Sequence, residues 1–243
     1  MIIPKKSLLR NPPKLLSPRQ VLTFNAMRYS IDICEISLNR LIENLRKFET
    51  KIGPNISGFP DIFLDVWSII NNSVIFKNIV CREFELNLSD ELFTEINKAK
   101  SLRDSNQHID ERLSENIMTN ELPVYGLLNW RNETKVENIV NISSIYSGTF
   151  TSKKKIEMTI SNPKIDRLKG KIHMIEFRGV IRENKNKKRV FREQSIFIDQ
   201  IISDLRKWIK SFDFEVNEQL KDYDTTEKHI SDFSILLKGI KTV

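Results

Sequence analysis

The chain has 243 residues, of which 40% are hydrophobic and 29% charged, a balance typical of a globular protein and not of a disordered one. The formal net charge of +7 is compatible with a polyanionic partner such as RNA. No apolar run reaches the roughly 18 residues of a membrane span, and no signal peptide is evident. We therefore expect a cytoplasmic protein that does not contact membranes.

The first half of the chain has the periodicity of long helices. Residues 1–16 are basic and rich in proline, which predicts an extended arm. Ser17 and Gln20 have the spacing of a capping box, so the first helix is predicted to begin there and to continue to about residue 48. A second helix over 60–80 is apolar nearly all round, which predicts a central position in a bundle.

A third helix is predicted over about 90–118, and the pattern then changes to short runs of β-branched and aromatic residues. These runs, 156–160 among them, predict an antiparallel sheet of four or five strands within 123–194, with a polar hairpin loop over 182–189. A helical stripe returns over 195–220, and residues 222–243 are predicted to form a polar tail with one short helix. The predicted fold class is α+β, in which a small antiparallel sheet is inserted into a four-helix bundle formed by 17–122 and 195–220.

The third predicted helix contains the sequence Arg-Asp-x3-His at Arg103, Asp104 and His108. An imidazole exchanges protons near neutral pH, and a guanidinium group can bind a phosphate through two hydrogen bonds. On an ideal helix Arg103 points roughly 140° away from His108. Three arrangements stay open: a distorted helix, an arginine side chain that reaches around it, or a pairing of the two residues across a dimer interface.

This motif resembles the R-x4–6-H signature of the HEPN superfamily, in which a polar residue commonly follows the arginine. The resemblance covers the helical part of the chain and implies a HEPN-like bundle with metal-independent endoribonuclease activity. His108 would transfer protons, Arg103 would bind the scissile phosphate, and Asp104 would orient the imidazole. Asp110 occupies the position at which some HEPN toxins carry a modified tyrosine, so control by that modification is not supported.

The resemblance also has implications for partners. It implies RNA as substrate, a homodimer that brings two motifs into one cleft, and a cognate antitoxin or antiviral defence protein as a further partner. It implies no cofactor.

Basic residues outside the motif are candidates for substrate binding. Arg112 could add a phosphate contact on the polar side of the third helix. A second group, which we call the hairpin cluster, consists of Lys185, Lys187, Lys188 and Arg189. Aromatic residues that could stack on bases are Tyr125, Trp130, Tyr146 and Phe150. The competing interpretation of the hairpin cluster is that its charges keep a sheet edge from pairing with other chains.

Other functional hypotheses stay open beside the nuclease. The motif residues could form an ordinary solvated helix face with ion pairs. The chain could also be a catalytically inactive HEPN-like module that binds RNA or protein, or a defence or phage protein whose sheet docks a partner subunit. His173 and His229 have no convincing ligand spacing around them, so no metal site is predicted. Cys34 and Cys81 are expected to be buried free thiols.

Overall fold

Four helices and four strands make up the part of the chain that the computed structural model describes, which is residues 1–50, 59–85, 93–110, 123–133, 140–148, 171–185, 188–232 and 234. The helices are α1 (Pro18–Thr50), α2 (Phe59–Glu83), α3 (Thr94–Asn106) and α4 (Ile198–Leu220). The strands are β1 (Leu127–Glu133), β2 (Val140–Tyr146), β3 (Lys171–Lys185) and β4 (Lys188–Phe197). The predicted α+β class is confirmed. Within these residues no helix has the length and apolar character needed to cross a bilayer.

Helix α1 begins at the predicted capping box. The backbone N–H of Ser17 donates to Oε1 of Gln20 over 2.9 Å, and the N–H of Gln20 donates to Oγ of Ser17 over 3.4 Å. Two backbone donors that the first helical turn would leave without partners are thereby satisfied. The helix then continues for 33 residues, or about 50 Å.

Helix α2 is the centre of the helical part, as its apolar sequence predicts. Its core residues Val66, Ile69 and Ile70 are completely buried. The ring of Phe76, also completely buried, meets the edge of Trp208 on α4 at a centroid distance of 5.0 Å. On another side the buried carboxylate of Asp65 accepts hydrogen bonds from Arg40 of α1.

The strands form one antiparallel sheet in the order β2-β1-β3-β4. A polar loop was predicted over 182–189, and that prediction is wrong, because β3 and β4 pair as far as Lys185 and Lys188. The ladder of a sheet is made of backbone hydrogen bonds, so polar and charged residues can belong to it. The strand predicted over 156–160 lies outside the described residues.

One face of the sheet packs on the helices. Trp130 and Phe177 are completely buried there, and their rings contact Phe48 of α1 and Trp67 of α2 at centroid distances of 5.7 and 5.0 Å. Aromatic contacts therefore join β1 and β3 to the first two helices.

The opposite face carries a chain of polar contacts that crosses all four strands. Oγ of Ser144 donates to Oδ1 of Asn129 over 2.7 Å, and Nδ2 of Asn129 donates to Glu176 over 3.2 Å. The guanidinium of Arg178 then donates to Glu176 at 2.9 Å and to Glu193 at 3.2 Å. These contacts fix the register of the sheet on its outer side.

Helix α4 begins at Ile198, three residues later than predicted, because β4 continues to Phe197. Trp208 and Phe212 stack on each other at a centroid distance of 4.9 Å, and Phe212 also meets Phe24 of α1 at 5.5 Å. The chain therefore returns from the sheet to the first helices, as the insertion hypothesis requires.

Residues 1–16 differ from the predicted extended arm. They form turns in which Ile3 and Leu9 are completely buried. The guanidinium of Arg10 donates to both carboxylate oxygens of Asp32, over 3.1 and 2.7 Å. The prolines suggested an extended arm, but burial of the apolar side chains between them on α1 removes apolar surface from water and so lowers the free energy of the folded chain.

The segment after α4 pairs with this N-terminal segment. Lys228 forms a bridge with Pro13, and the N–H of His229 donates to the carbonyl of Pro12 over 2.9 Å. Asp232 accepts hydrogen bonds from Arg28 at 2.6 Å and from Tyr29 at 2.8 Å. The short helix predicted from Ile230 is absent over 230–232, and the rest of that prediction lies outside the described residues.

Ile3→Ala tests whether the N-terminal segment is part of the core. Loss of this buried side chain should lower the free energy of unfolding by about 2–4 kcal/mol in a urea titration. Lys5→Ala, at an exposed position two residues later, is the control and should change it by less than about 0.5 kcal/mol. Equal effects of the two substitutions would contradict the packing described here.

Candidate functional site

The helix that carries the motif is held by α2 and by the sheet. Nζ of Lys77 on α2 donates to Oδ1 of Asn97 near the start of α3. Glu95 accepts a hydrogen bond from the N–H of Phe197 over 3.0 Å, which joins α3 to the start of α4. At the other end of α3, Oγ of Ser105 donates to the carbonyl of Val180 on β3. Both ends of α3 are therefore fixed by polar contacts.

The last turn of α3 also packs tightly on β3. A Cβ atom added to Gly179 would lie 2.9 Å from a methyl carbon of Leu102, so a larger residue there would force the Leu102 side chain to shift. Ser105 and Leu102 are both buried. The position of the motif relative to the sheet is consequently determined by close packing.

Helix α3 ends at Asn106, inside the motif, and helical structure begins again at Ile109 and Asp110, whereas one continuous helix was predicted over 90–118. The N–H of Gln107 donates to the carbonyl of Arg103 over 3.0 Å, but the N–H of His108 donates to that of Ser105 over 3.4 Å. This change from four-residue to three-residue spacing tightens the chain into a turn at His108. The helix is therefore distorted at the motif, and an ideal helical angle no longer relates the two motif residues.

The motif side chains differ in exposure. Asp104 and His108 are exposed, whereas Arg103 is half-buried. Arg103 follows the completely buried Ile96 and Ala99 by seven and four residues, so all three lie on one face of α3. No hydrogen bond or salt bridge joins the guanidinium of Arg103 to a described residue, His108 included. The two residues therefore share one end of α3 without forming a contact pair.

A narrow cleft of about 20 Å³, enough for about one water molecule, lies next to the motif, between α2, the end of α3 and the sheet. It is lined by Trp67, Leu102, Ser105, Asn106, Ile109, Pro123, Val124, Gly126, Gly179 and Val180. Neither Arg103 nor His108 is among these residues. The indole N–H of Trp67 donates to the carbonyl of Tyr125 over 3.3 Å, and Oδ1 of Asn106 is buried without a partner among the described residues.

Sequence reasoning missed the residues that form this cleft. Gly126 has φ +98°, and a side chain there would collide with the ring of Phe177, so this position requires glycine. The change from helical to strand periodicity at Pro123 was visible in the sequence. The sequence did not show that the turn after Pro123 would close on Trp67, because this contact depends on the tertiary packing of α2.

The hairpin cluster lies farther along β3 than the point at which the motif helix contacts the sheet. Lys185 ends β3 and is five residues from Val180, which Ser105 contacts, so about 17 Å of strand separates the two points. Lys188 and Arg189 begin β4. Lys187 and Arg112 lie outside the described residues.

The aromatic residues proposed for base stacking are not equivalent. Trp130 is completely buried against Phe48, so its predicted role in stacking is wrong: its ring belongs to the core. Tyr125 is 51% exposed and Tyr146 half-buried, so both can reach a ligand. Phe150 lies outside the described residues.

Among the described residues, no group of three or more histidine, cysteine or acidic side chains is arranged to hold a metal ion. Nε2 of His173 lies 3.6 Å from Glu133, and Nε2 of His229 is buried. Burial raises the pKa of the Cys34 thiol to about 12, and Cys81 is half-buried. The predicted burial is thus complete for Cys34 and partial for Cys81.

Comparisons of the chain with known protein families, with curated proteins and with solved structures find no match. The chemistry and placement of its own residues are therefore what a functional proposal must rest on.

Lys77→Met tests the contact that fixes the start of α3. Burial lowers the pKa of Lys77 below its ordinary value of 10.5, so the unfolded chain binds more protons than the folded chain between those two pKa values. The free energy of unfolding of the wild type should therefore rise as pH increases through that window. The substitution should remove this rise and stabilise the protein by about 1 kcal/mol at neutral pH.

Urea titrations over a pH series would measure this effect. Lys210→Met, at an exposed position on α4, is the matched control and should leave the slope in place. An unchanged slope in Lys77→Met would show that the amine is not the group responsible.

Proposed function

We propose that the chain is a metal-independent endoribonuclease of HEPN type, in which His108 and Arg103 are the catalytic residues. The observation that carries this proposal is the placement of the motif. An exposed imidazole and a guanidinium share the end of α3, and this end is tied through Ser105 to the strand that leads to the hairpin cluster. The groups proposed for proton transfer and phosphate binding are thereby joined to the strand that continues to the basic hairpin.

The proposed reaction is internal transesterification of RNA. The ribose 2′-oxygen attacks the adjacent phosphorus, the bond to the 5′-oxygen breaks, and a cyclic phosphate and a 5′-hydroxyl are formed. His108 would take the proton from the 2′-hydroxyl or give one to the leaving 5′-oxygen. Arg103 would stabilise the negative charge that grows on the phosphate, and Asp104 would orient the imidazole.

The proposal includes a homodimer. Transesterification is fastest with both a base and an acid, and one chain supplies a single histidine in the motif. Groups from two copies could then act on one phosphate. His108 and Asp104 are exposed and can therefore reach a second chain.

The RNA would be held by Arg112 and the hairpin cluster, and the activity would serve a toxin or antiviral system in the cytoplasm. An enzyme that cleaves cellular RNA needs restraint, which a cognate antitoxin or defence protein would supply. These parts of the proposal rest on the HEPN resemblance and on the basic charge of the chain.

A second candidate is a catalytically inactive HEPN-like module that binds RNA or protein. The observation that favours it is the half-buried position of Arg103 on the face of α3 that also buries Ile96 and Ala99. A guanidinium in that position can stabilise the packing of the helix end without binding a phosphate.

Two substitutions separate the candidates. If the nuclease proposal holds, the purified chain cleaves RNA in EDTA, and His108→Ala and Arg103→Ala each lower the rate by at least about 100-fold. Each loss follows because the substitution removes proton transfer or charge stabilisation from the transition state. Single-turnover cleavage of a labelled RNA measures the rates.

Matched controls are His173→Ala on β3 and Arg206→Ala on the exposed side of α4, both of which should retain the wild-type rate. Thermal unfolding of all four variants shows whether they fold. Binding of RNA without cleavage by the wild type would favour the second candidate.

The hairpin cluster can be tested by the salt dependence of RNA affinity. Replacing Lys185, Lys187, Lys188 and Arg189 by glutamine should reduce the slope of log K against log salt by up to about 3, because fewer counterions are released from a single strand. The measurement is a binding titration with His108→Ala, which keeps the RNA intact. An unchanged slope would remove the hairpin from the RNA-binding surface.

A further inference from the structure

The outer face of the sheet contains a β-bulge between its two central strands. The register of β1 and β3 shifts by one residue between Asn129 and Arg131, so that Trp130 faces two residues of β3, Met174 and Ile175. Met174 has φ +49°, a left-handed conformation that is strained in any residue with a side chain. Bulges are frequent beside binding and catalytic sites, where they redirect side chains.

The first turn of α4 holds this bulge in place. Oδ1 of Asp199 accepts a hydrogen bond from the N–H of Ile175 over 2.9 Å, and Oδ2 accepts one from the N–H of Met174 over 3.3 Å. One carboxylate therefore binds both backbone donors of the extra residue and its neighbour. The strained conformation is a fixed part of the sheet and keeps the Met174 side chain on the outer face.

A pocket of about 270 Å³ lies on the outer face at the bulge. Sites for drug-sized ligands measure roughly 300–1,000 Å³, so this pocket has the size for a smaller molecule built on one ring system. Its apolar lining comes from Ile142, Met174 and Phe197. Ile142 is 69% and Met174 36% exposed, and a bound ring would remove this apolar surface from water.

Polar side chains in the same pocket are already oriented. Asn129 accepts from Oγ of Ser144 and donates to Oε2 of Glu176, so both ends of its amide are fixed. Oε2 of Glu176 also accepts from Arg178. No described residue donates to Oε1 of Glu176, and Nε of Arg178 has no hydrogen-bond partner among the described residues. The pocket thus combines an acceptor with a neighbouring donor.

Arg131 adds a cation to the lining. Its side chain is exposed and forms no salt bridge with a described residue, although Glu176 is its diagonal neighbour across the strands, roughly 7–8 Å away. Glu133, two residues farther along β1, lies 3.6 Å from Nε2 of His173. Arg131 and Arg178 outweigh Glu176 by one charge. The lining therefore favours a ligand with an anionic group at one end and neutral hydrogen-bonding groups at the other.

We propose that this pocket binds a guanine mononucleotide. Guanine is the one common nucleic-acid base that presents two adjacent N–H donors, on N1 and N2, to a single carboxylate. Oε1 of Glu176 has two lone pairs and can accept from both. O6 of the base, next to N1, would accept from Arg178. The phosphate would bind Arg131, and the ring would pack against Met174 and Phe197.

The charges around the pocket favour a single nucleotide over an RNA strand. Glu133 on β1 and Glu193 on β4 are exposed on opposite sides of the pocket, and both would repel the phosphates of a continuing strand. A mononucleotide needs one cation for its phosphate, which Arg131 supplies.

The inference goes beyond the proposed nuclease and does not depend on it. Neither Arg103 nor His108 lines this pocket, and its tests measure binding of nucleotides without any cleavage of RNA. Failure of nucleotide binding and failure of the nuclease can therefore be told apart.

A series of nucleotides tests the hydrogen bonds without any change in the protein. In isothermal titration calorimetry, guanosine monophosphate should bind at least about tenfold more tightly than adenosine monophosphate. Inosine monophosphate, which lacks the N2 amine, should also bind at least about tenfold more weakly than guanosine monophosphate. Equal affinities for the three nucleotides, or no binding of guanosine monophosphate at millimolar concentrations, would overturn the inference.

A single-stranded oligonucleotide separates the two possible sources of the base. The probe is a 2′-O-methyl strand with one guanosine flanked by uridines, which the proposed transesterification cannot cleave because it has no free 2′-hydroxyl. It should bind no more tightly than guanosine monophosphate. A strand that binds tenfold more tightly would make RNA the ligand and overturn the assignment to a mononucleotide.

Glu176→Gln tests the acceptor. It should lower the affinity for guanosine monophosphate at least about tenfold and remove the preference over adenosine monophosphate, because the carboxylate is lost. Glu193→Gln is the matched control, since Glu193 also accepts from Arg178 but does not line the pocket, and it should retain the wild-type affinity. Equal losses in both variants would contradict the role of Glu176.

Arg131→Gln tests the phosphate contact. The wild type should bind guanosine monophosphate about tenfold more tightly than guanosine, and the substitution should abolish this difference while leaving the affinity for guanosine unchanged. Arg206→Gln, at an exposed position on α4, is the control and should keep the difference. A difference that persists in Arg131→Gln would show that the phosphate binds elsewhere. Thermal unfolding establishes that each variant is folded.

Discussion

The burial of α2 is the constraint on which the rest of the structure depends. Its sequence leaves only a narrow outer strip for solvent, so α1, α3 and α4 must all pack on the remaining sides. The polar groups within that surface then need partners, and they select particular neighbours: Asp65 pairs with Arg40 of α1, and Lys77 with Asn97 of α3. Burial thus brings the helices together, while two charged groups determine how they are aligned.

Much of this fold could be predicted because its signals are local. The capping box of Ser17 and Gln20 is a contact between residues three apart, and the apolar pattern of α2 is evident within one element. The N-terminal segment was mispredicted because its burial depends on α1 and on the distant Asp213, to which Ser7 donates over 2.6 Å. The end of α3 was mispredicted for a similar reason, since the contact of Ser105 with Val180 comes from tertiary structure.

In the candidate site, too, local sequence signals could be predicted and tertiary contacts could not. The residue types and the spacing of Arg103 and His108 could be read from the sequence, together with an angle that made a simple pair doubtful. Whether a helix continues through the motif depends on how its last turn packs beside Gly179, and no local pattern contains that information. Trp130 is a different case. An aromatic residue near basic residues in the sequence suggested a nucleic-acid-binding surface. The alternation of buried and exposed positions in β1 instead places Trp130 in the core.

The pairing of the chain's two terminal segments has a consequence for synthesis. Arg28 is buried near the start of α1, and its carboxylate partner Asp232 is separated from it by 204 residues. Until that partner leaves the ribosome, the guanidinium has water as its only good acceptor, and the first segment cannot close over α1 without a desolvation cost. The contact that covers Arg28 therefore forms only after Asp232 has been synthesised, later than the contacts of Ile2 and Arg10 with α1.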